Sequence, residues 1–462
     1  MRRSGVMKVT LECFKSYDVR GRIGTELDEA TYRAIGRAFA DVMQPGRVVL
    51  GRDIRATSEA FAAALADGLL ESGVDVLDIG LCGTEEVYFA TDHYAAGGGL
   101  MVTASHNPVD YNGLKLVGPG ARPIPAEGAF RQIRDRVVQG IDAAPGPRGS
   151  LQRADPRPAY VERLLSFVDP GAMGAMTVLA NAGNGAAGPT FDAIARALAE
   201  RGAPIRFERL NHRPDAAFPN GIPNPLLPEN RPATTRALLA CGADLGIAWD
   251  GDFDRCFFFD ETGSFIDGEY LVGLLATAFL ARTPGARIVH DTRVMWNTQE
   301  LVAAAGGEAV ASLTGHVHVK ETMRQVDAAY GGEMSAHHYF RDFMYCDSGM
   351  IPWLLVIEHM SRTGQPLSAL IGDRRGAHPS SGEINFRVAD AAAAQQAVER
   401  TFGDGEIDRM DGLGISFADW RFNLRSSATE PVLRLNVETR GNRDLLDEKT
   451  AEISRIIRAF VR

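Results

Sequence analysis

Short apolar runs alternate with helix-like segments over most of this chain, and this alternation restricts the fold more than any other feature. Near the beginning, the apolar run RVVLGRD precedes the helical pattern EAFAAALADGLLES, and the apolar run VDVLDIG follows it. A second series of the same kind begins near Tyr160, and a third begins after Asp260. Strands that alternate with helices predict α/β domains with largely parallel sheets.

The chain is too long for one hydrophobic core, because its 462 residues exceed the size at which single cores stop growing. Residues 141–158 are rich in proline, glycine and charge and lack periodicity, so we expect a linker there. The last part differs, since strand patterns with helices at 391–402 and 444–460 indicate an α+β unit with an antiparallel sheet. We therefore predict three similar α/β domains and one α+β domain, with the boundaries 1–150, 151–260, 261–375 and 376–462.

Composition excludes several classes of protein. A formal net charge of −10 disfavours a surface that wraps a polyanion, so we expect no nucleic-acid partner. The chain lacks an apolar run of about 18 residues, and its first residues lack the apolar core of a signal peptide, so we expect no membrane association. The five cysteines are scattered and have no Cys-x-x-Cys spacing, which is typical of the reducing cytoplasm.

The segment MVTASHNPVDYNGLKL contains a serine in a position suited to chemistry. An apolar run ends at Val102, and Ser105 follows it, where α/β folds gather ligands at the ends of strands. His106 and Lys115 add proton donors nearby. Ser-x-Asn-Pro is also ordinary turn chemistry, so a capped turn remains the alternative on this segment alone.

The loop DGDFDR places three carboxylates, those of Asp250, Asp252 and Asp254, between two apolar strands. This spacing lets one oxygen from each converge on a hard cation, and Mg²⁺ is favoured if phosphate shares the site. A solvated acidic turn is one alternative. An EF-hand is another, because Glu261 falls at its twelfth position, but Arg255 stands where that loop needs glycine.

The segment RSSATEP, residues 425–431, lies between two predicted strands. An arginine followed by three hydroxyls and free backbone N–H groups is suited to binding an anion. A simple connecting loop is the alternative.

Two further polar segments follow predicted strands. The segment GEMSAHH, residues 332–338, offers a carboxylate, a hydroxyl and an imidazole, which suit the vicinal hydroxyls of a ligand. Its two adjacent histidines do not predict a zinc site, because consecutive side chains diverge. Thr314, Gly315 and His316 form another polar turn.

A literal G-x-G-x-x-G at residues 183–188 competes with these assignments. It follows the strand MTVLAN and opens a helix, and Glu208 stands 20 residues beyond its last glycine, which is the context of dinucleotide binding. An NAD(P)-dependent oxidoreductase is therefore an alternative function. Nothing nearby supplies hydride chemistry, and we favour glycines that permit tight packing of strand on helix.

The order of these motifs resembles the α-D-phosphohexomutase superfamily across essentially the whole chain. TASHNP, DGDFDR, GEMSAH and RSSATEP occur in the family's order. CFKSYDVRG, GTEEVYFAT, NGIPNPLLPE and YGGEMSAHHYFRDFMYCDSGMIPW are similar to bacterial members of the GDP-mannose pathway. The resemblance implies three similar mixed α/β domains and a C-terminal α+β (TATA-binding-protein-like) domain around a central cleft.

The resemblance also implies roles for individual residues. Ser105 would carry the transferable phosphoryl group, and its phosphate oxygen would bind Mg²⁺ together with Asp250, Asp252 and Asp254. The other catalytic residues implied are Lys115, Arg20 and His316. The implied substrate-binding residues are Tyr17, His106, Arg255, Thr314, Gly315, Glu333, Ser335, His337, Arg425, Ser426, Ser427 and Thr429. Ala428 departs from the asparagine that the family commonly has in its phosphate loop.

The implied reaction interconverts mannose 6-phosphate and mannose 1-phosphate through a phosphoserine enzyme and a hexose 1,6-bisphosphate, which also acts as activator. A phosphoglucomutase or a mutase of dual specificity is the nearest alternative, because the two sugars differ only at C2. A phosphatase-like hydrolase using the same serine is a further alternative. The only partner expected is the phosphosugar substrate, and the chain is expected to be a monomer or a homodimer.

Overall fold

Four separate β-sheets divide the chain, in a computed structural model that describes residues 11–142, 146–426 and 432–461. The first domain contains β1 (Val19–Arg22), α1 (Glu29–Met43), β2 (Arg47–Arg52), α2 (Ser58–Glu71), β3 (Asp75–Leu81), α3 (Thr84–His93), β4 (Gly99–Val102), β5 (Tyr111–Val117), α4 (Arg131–Gln139) and β6 (Leu151–Arg153). The second contains α5 (Arg157–Leu165), β7 (Met176–Asn181), α6 (Ala187–Glu200), β8 (Ile205–Leu210), α7 (Pro232–Cys241), β9 (Leu245–Trp249), β10 (Cys256–Asp260) and β11 (Phe265–Ile266).

The remaining elements form the third and fourth domains. The third contains α8 (Gly268–Arg282), β12 (Arg287–Asp291), α9 (Trp296–Ala304), β13 (Glu308–Ser312), α10 (His316–Val326), β14 (Tyr330–Gly332), β15 (His338–Phe340), β16 (Cys346–Asp347), α11 (Ile351–Thr363) and α12 (Leu367–Ala377). The fourth contains β17 (Ile384–Arg387), α13 (Ala391–Phe402), β18 (Glu406–Asp408), β19 (Leu413–Ser416), β20 (Trp420–Ser426), β21 (Val432–Thr439) and α14 (Arg443–Arg458).

The first three sheets share one strand order. It reads β5-β4-β2-β3 in the first domain, β10-β9-β7-β8 in the second and β15-β14-β12-β13 in the third. In each, three neighbouring strands are parallel and one strand pairs antiparallel at the same end. The prediction of three similar mixed α/β domains is therefore confirmed. The shared order also makes the turns at 103–110, 250–255 and 333–337 topologically equivalent.

The fourth domain is built differently, as predicted. Its sheet has the order β17-β21-β20-β19-β18, and every pair is antiparallel, with α13 and α14 completing the domain. Strands β19 and β20 are separated by a turn at 417–419, where the Phe417 N–H donates to the Trp420 carbonyl.

The segment 141–158 is not entirely the linker that its composition predicts. Residues Leu151–Arg153 form β6 and pair in parallel with Val76–Asp78 of β3, and Arg157 already begins α5. All three residues of β6 are exposed. An edge strand held mainly by backbone hydrogen bonds needs no apolar pattern, so the sequence carried no signal for it. The four domain boundaries remain predictions.

Apolar packing joins the first three domains and leaves the fourth separate. One core cluster includes Phe89 of the first domain, Phe191 and Trp249 of the second, and Trp353 of the third. The fourth domain has a core of its own. Among the described helices, none combines the length and hydropathy that a membrane span needs.

A buried ion pair fixes the fourth domain to the third. Arg421 and Glu438 are paired across β20 and β21 at 2.8 Å, and both are almost fully buried. The Glu438 carboxylate accepts the backbone N–H groups of Met295 (2.9 Å) and Trp296 (3.1 Å) at the beginning of α9. A carboxylate at a helix N-terminus accepts hydrogen bonds from unpaired N–H donors and interacts favourably with the positive end of the helix dipole. Arg421 also donates to the Arg293 carbonyl at 3.2 Å, so the pair positions the loop that carries Arg293.

Candidate active site

The turn between β4 and β5 holds Ser105 in a left-handed backbone conformation. Its φ is 48°, an uncommon value for a residue other than glycine. The Arg55 guanidinium donates to the carbonyls of Ser105 (3.0 Å), Pro108 (2.8 Å) and Tyr111 (3.0 Å), and Arg55 is itself 4% exposed. The Ser105 N–H donates to Thr103 Oγ1 at 2.8 Å. These bonds stabilise a conformation that would otherwise cost free energy, and Arg55 is a positioning residue that sequence reasoning missed.

The Ser105 hydroxyl meets the acidic loop of the second domain. Its Oγ donates to Asp250 Oδ2 at 2.8 Å and lies 3.0 Å from His106 Nδ1. The two loops are in backbone contact, because a Cβ added at Gly251 would lie 2.4 Å from the Ser105 carbonyl oxygen. Only glycine permits that approach. The structure therefore brings together the serine and the acidic loop that the sequence predicted separately.

The three aspartates of the acidic loop form a site that fits a divalent cation. Asp250, Asp252 and Asp254 are 0%, 0% and 2% exposed, which excludes a solvated acidic turn. Carboxylate oxygens of the three lie within 4.8 Å of one another, and the three Oδ1 atoms have no hydrogen-bond partner among the described residues. Buried carboxylate oxygens normally have a partner, and a hard cation supplies one. Glu261 is no part of the group, since its carboxylate contacts Ser368, so the EF-hand alternative is wrong.

Two side chains of the first domain, those of Lys115 and Thr84, brace this loop. The Lys115 ammonium lies 2.7 Å from Asp252 Oδ2 and also contacts Asp254. Thr84 Oγ1 donates to Asp252 Oδ2 at 2.5 Å. The first domain thus contributes both a charge and a hydroxyl to a loop of the second, and sequence reasoning assigned no role to Thr84.

The pKa values of these groups reflect burial and mutual charge. Burial alone would lower the pKa of Lys115, but the carboxylates of Asp252 and Asp254 raise it above its usual value. Burial opposes ionisation of Asp252, yet Lys115 lowers the pKa of that carboxyl below its usual range. Burial and the charge of Asp252 raise the pKa of Asp254 to about 6. Lys115 is therefore a cation in this arrangement, and two carboxylates compete for it.

Two arginines lie close to the serine. Arg255 donates to Asp250 Oδ2 through Nε (2.9 Å) and a terminal nitrogen (2.6 Å), and it also contacts His106 Nδ1. Arg20, on β1, donates to the Thr103 carbonyl at 3.0 Å and pairs with Asp18 at 3.1 Å. Two guanidinium groups thus lie beside the Ser105 turn, each paired with a carboxylate.

Aromatic and imidazole rings from the first and third domains meet beside this site. The rings of Tyr17 and His316 are 4.8 Å apart, and those of His316 and His337 are 6.5 Å apart. Burial and the ammonium of Lys320 hold the pKa of His316 well below its usual value. Burial alone would also lower the pKa of His337, but the carboxylates of Asp254 and Asp347 raise it. His316 is therefore a neutral imidazole at pH 7, available to accept a proton.

The third equivalent turn presents Glu333 and Ser335. Glu333 accepts the Tyr339 hydroxyl at 2.6 Å and the Gly315 N–H at 2.9 Å, while the adjacent Thr314 N–H donates to Asp411 at 3.2 Å. These bonds join the two polar turns that the sequence singled out. The neighbouring histidines diverge as expected: His337 Nδ1 lies 3.1 Å from Asp347 Oδ2, and His338 Nδ1 lies 2.6 Å from the Tyr330 hydroxyl.

The arginine predicted to bind anions lies in the fourth domain and meets one from the third. Arg425, at the end of β20, donates to Glu383 at 3.2 Å, and Ser426 is exposed beside it. Ser427, Ala428 and Thr429 lie outside the described residues. Arg293 Nη1 lies 3.6 Å from the same Glu383 carboxylate, and Arg293 Nη2 donates to Ser335 Oγ at 3.2 Å.

Sequence reasoning missed Arg293. It comes two residues after β12 ends and is 4% exposed. An arginine directly beyond a buried parallel strand is the same kind of signal as Ser105 beyond β4, and it could have been found on that ground. The Asp291 carboxylate lies 2.7 Å from the Arg293 guanidinium and fixes its orientation.

The glycines of the G-x-G-x-x-G segment face protein. A Cβ at Gly183 would lie 2.3 Å from the Pro223 side chain, one at Gly185 would lie 2.8 Å from the Gly251 carbonyl, and one at Gly188 would lie 2.1 Å from the His212 carbonyl. The glycines thus permit close backbone packing, including support of the acidic loop. This favours the packing interpretation over a dinucleotide site.

Comparison with known proteins places all four domains in one family. Four family models match successive parts of the chain, described as phosphoglucomutase/phosphomannomutase alpha/beta/alpha domain I over residues 11–140, domain II over 158–263, domain III over 267–375, and the C-terminal domain over 383–456.

Similar proteins extend over the full length. A phosphomannomutase of Salmonella montevideo is 56% identical over 97% of this chain and 99% of its own. Phosphohexose mutases of Xanthomonas campestris are 55% identical over 97% of this chain and 100% of theirs. A crystal structure of a phosphoglucomutase/phosphomannomutase family protein from Burkholderia thailandensis superimposes with a TM-score of 0.86 at 32% identity, covering 98% of both chains.

Proposed function

The chain belongs to the phosphoglucomutase/phosphomannomutase family of the α-D-phosphohexomutase superfamily, and from that premise we propose that it catalyses the phosphomannomutase reaction. Mannose 6-phosphate and mannose 1-phosphate are interconverted through a phosphoserine enzyme and a hexose 1,6-bisphosphate. The observation that carries the proposal is the contact between the Ser105 hydroxyl and Asp250, within a buried group of three carboxylates.

The first half-reaction moves the phosphoryl group from Ser105 to the sugar. The P–Oγ bond of phosphoserine 105 breaks, a bond forms between phosphorus and O1 of mannose 6-phosphate, and the O1 proton passes to a base. His316 is suited to accept that proton because its imidazole is neutral, whereas Lys115, a cation, is suited to supply the proton that the departing Ser105 Oγ takes up. Arg255 and Arg20 stabilise the negative charge around the serine.

The acidic loop supports the proposal that the reaction uses a divalent metal ion. Asp250, Asp252 and Asp254 would hold Mg²⁺ through the oxygens that lack protein partners among the described residues. A Mg²⁺ ion there supplies positive charge that offsets the charge on the transferring phosphoryl group.

The second half-reaction requires the sugar to turn. The 1,6-bisphosphate exchanges its ends, the 6-phosphoryl group returns to Ser105, and mannose 1-phosphate leaves. Arg425 and Arg293, which both contact Glu383, are suited to hold whichever phosphate is not reacting. Ser426, with Ser427 and Thr429, would add hydroxyl donors there. Free hexose 1,6-bisphosphate acts as activator because it restores a phosphate lost from Ser105.

The sugar lies between these two ends. Glu333, Ser335 and His337 would bind its hydroxyls, with Tyr17, His106, Thr314 and Gly315 lining the same space. A mutase that also accepts glucose phosphates is the second candidate, supported by the broader name of the Xanthomonas relatives. Epimers at one carbon are weakly discriminated unless a hydroxyl is specifically bonded. A cytoplasmic location and a monomer or homodimer remain predictions.

A coupled assay tests the proposal. Purified protein with Mg²⁺ and catalytic hexose 1,6-bisphosphate should convert mannose 1-phosphate, and glucose 1-phosphate measured in parallel reports specificity. Ser105→Ala should lower turnover at least about 10³-fold, because the phosphoryl carrier is gone. Intact-mass measurement should find one phosphate on the wild type and none on the variant.

Three results would contradict the proposal. Near-normal turnover by Ser105→Ala excludes the covalent route. Stoichiometric release of inorganic phosphate without sugar 1,6-bisphosphate indicates the hydrolase. A thermal shift with NAD(P) and none with phosphosugar supports the oxidoreductase.

A further inference from the structure

Glu383 lies at the point where arginines from two domains converge. Its Oε2 is 3.2 Å from Arg425 Nη2 and 3.6 Å from Arg293 Nη1, and its Oε1 is 3.4 Å from Arg434 Nη1. Arg293 belongs to the third domain, whereas Glu383, Arg425 and Arg434 belong to the fourth. One carboxylate therefore bridges two domains through three guanidinium groups.

The arrangement of donors around Glu383 is the one that a phosphate requires. Guanidinium groups pair with carboxylate and phosphate through the same N–H···O geometry. The Arg425 side chain is 11% exposed and that of Arg293 is 4% exposed, whereas 23% of the Glu383 side chain is exposed. The Glu383 carboxylate is thus more accessible to solvent than the guanidinium groups of Arg425 and Arg293 that hold it.

Arg293 and Arg425 share Glu383, and Arg293 also contacts two carboxylates of its own domain. Three arginines surround one carboxylate, and Asp291 and Glu333 contact Arg293 from the other side, at 2.7 Å and 3.4 Å. Those two carboxylates are 2% exposed, on the third domain, and do not contact Arg425 in the described residues. Burial and the charge of Arg293 lower the pKa of Arg425, which is the effect of like charges brought together out of water.

We propose that Glu383 is an exchangeable counter-anion for the arginines that bind the non-reacting phosphate. It occupies them when no phosphate is present, yields them when a phosphosugar binds, and takes them back while the bisphosphate turns. The inference rests on the proposed function and adds a residue that the reaction scheme does not otherwise use. No covalent step is involved, since one anion replaces another on the same donors.

The exchange has a kinetic consequence. A bisphosphate that released one end from Arg425 would leave that guanidinium, whose side chain is only 11% exposed, to lose a counter-ion in a poorly hydrated site, which is costly. A carboxylate already attached to the same domain can replace the departing phosphate. Glu383 therefore weakens phosphate binding and speeds release.

The first test measures binding without turnover. Titration calorimetry with inorganic phosphate, in EDTA and at low ionic strength, compares the wild type with Glu383→Gln, Glu383→Asp and Arg425→Ala. Glu383→Gln should lower the Kd for phosphate about 5- to 30-fold, because a like charge near the ligand is removed. Glu383→Asp keeps the charge and should remain within about threefold of the wild type. Arg425→Ala should raise the Kd, and binding that this substitution leaves unchanged belongs to another site.

The matched control is Glu448→Gln, which removes the same charge from an exposed position on α14 of the same domain. It should not change the phosphate Kd. An unchanged or higher Kd in a folded Glu383→Gln protein would overturn the proposal, and so would equal shifts in Glu383→Gln and Glu383→Asp. If Glu383→Gln does not fold, Glu383→Ser serves the same comparison.

The second test uses mutase kinetics. Glu383→Gln should lower KM and kcat together, because the phosphate is held more tightly and released more slowly. A purely structural residue would lower kcat without lowering KM. If the wild type has no mutase activity, the proposed function fails, while the phosphate titration still decides the role of Glu383.

Discussion

The two ends of the site are built in opposite ways. At the serine end, Gly251 brings two backbones into contact, the carboxylates are fully buried, and one apolar cluster continues through the first three domains. At the arginine end, the ion pair of 3.6 Å between Arg293 and Glu383 connects the third domain to a fourth that has its own core. Phosphoryl transfer needs fixed atoms, whereas alternate binding of two phosphates needs contacts that can open.

The largest loss beyond removal of Ser105 itself is expected at the backbone contact of the serine end. Gly251→Ala would place a Cβ 2.4 Å from the Ser105 carbonyl oxygen. The nearest atoms all belong to the Ser105 backbone. The loops must separate, and a displacement near 1 Å costs about 10²-fold in kcat. Steady-state kinetics should show this loss with little change in KM.

The control for that variant is Gly46→Ala. No heavy atom lies within 4 Å of an added Cβ at Gly46 in the described residues, so its kinetics should match the wild type. If Gly251→Ala retained full kcat, the serine end would tolerate displacement of its loops, and the proposed contrast between the two ends would be wrong.

A smaller effect is expected at the arginine end, and it should appear in KM instead of kcat. Arg425→Ala removes a charge-assisted contact to phosphate, worth roughly 1.5–3 kcal/mol, or about 10- to 150-fold in KM. Surface Arg443→Ala on α14, whose side chain is 70% exposed, is the matched control. A fall in kcat with KM unchanged would place Arg425 on the reacting side.

The smallest effect should come from salt. Raising NaCl from about 50 to about 500 mM should increase KM about 3- to 10-fold, because partly exposed cations at the arginine end are screened. Over the same range kcat should stay within about twofold, since the charges at the serine end are buried. Equal sensitivity of both constants would remove the distinction between the two ends.

Much of the serine end could be predicted from the sequence, and less of the arginine end. TASHNP and DGDFDR are each a continuous motif, so the local sequence already identifies the reactive groups, although only the fold brings the two motifs together. Arg293, Glu383 and Arg425 are far apart in the chain and come from two domains, so no local pattern links them. Arg55 and Thr84 act through hydrogen bonds to distant loops, and β6 lacks any apolar pattern.

The sequence by itself identified the fold class of each domain and most of the reactive side chains of this protein. The alternation of strands and helices predicted three α/β domains and an unlike fourth, and contiguous motifs named the serine, the aspartates and one phosphate-binding arginine. Which of these groups meet was decided only by the tertiary structure. Three equivalent turns converge because three sheets repeat one strand order, and Glu383 meets arginines of two domains because a buried ion pair docks the fourth domain. Contacts of that kind depend on packing between domains, for which spacing along the chain carries no signal.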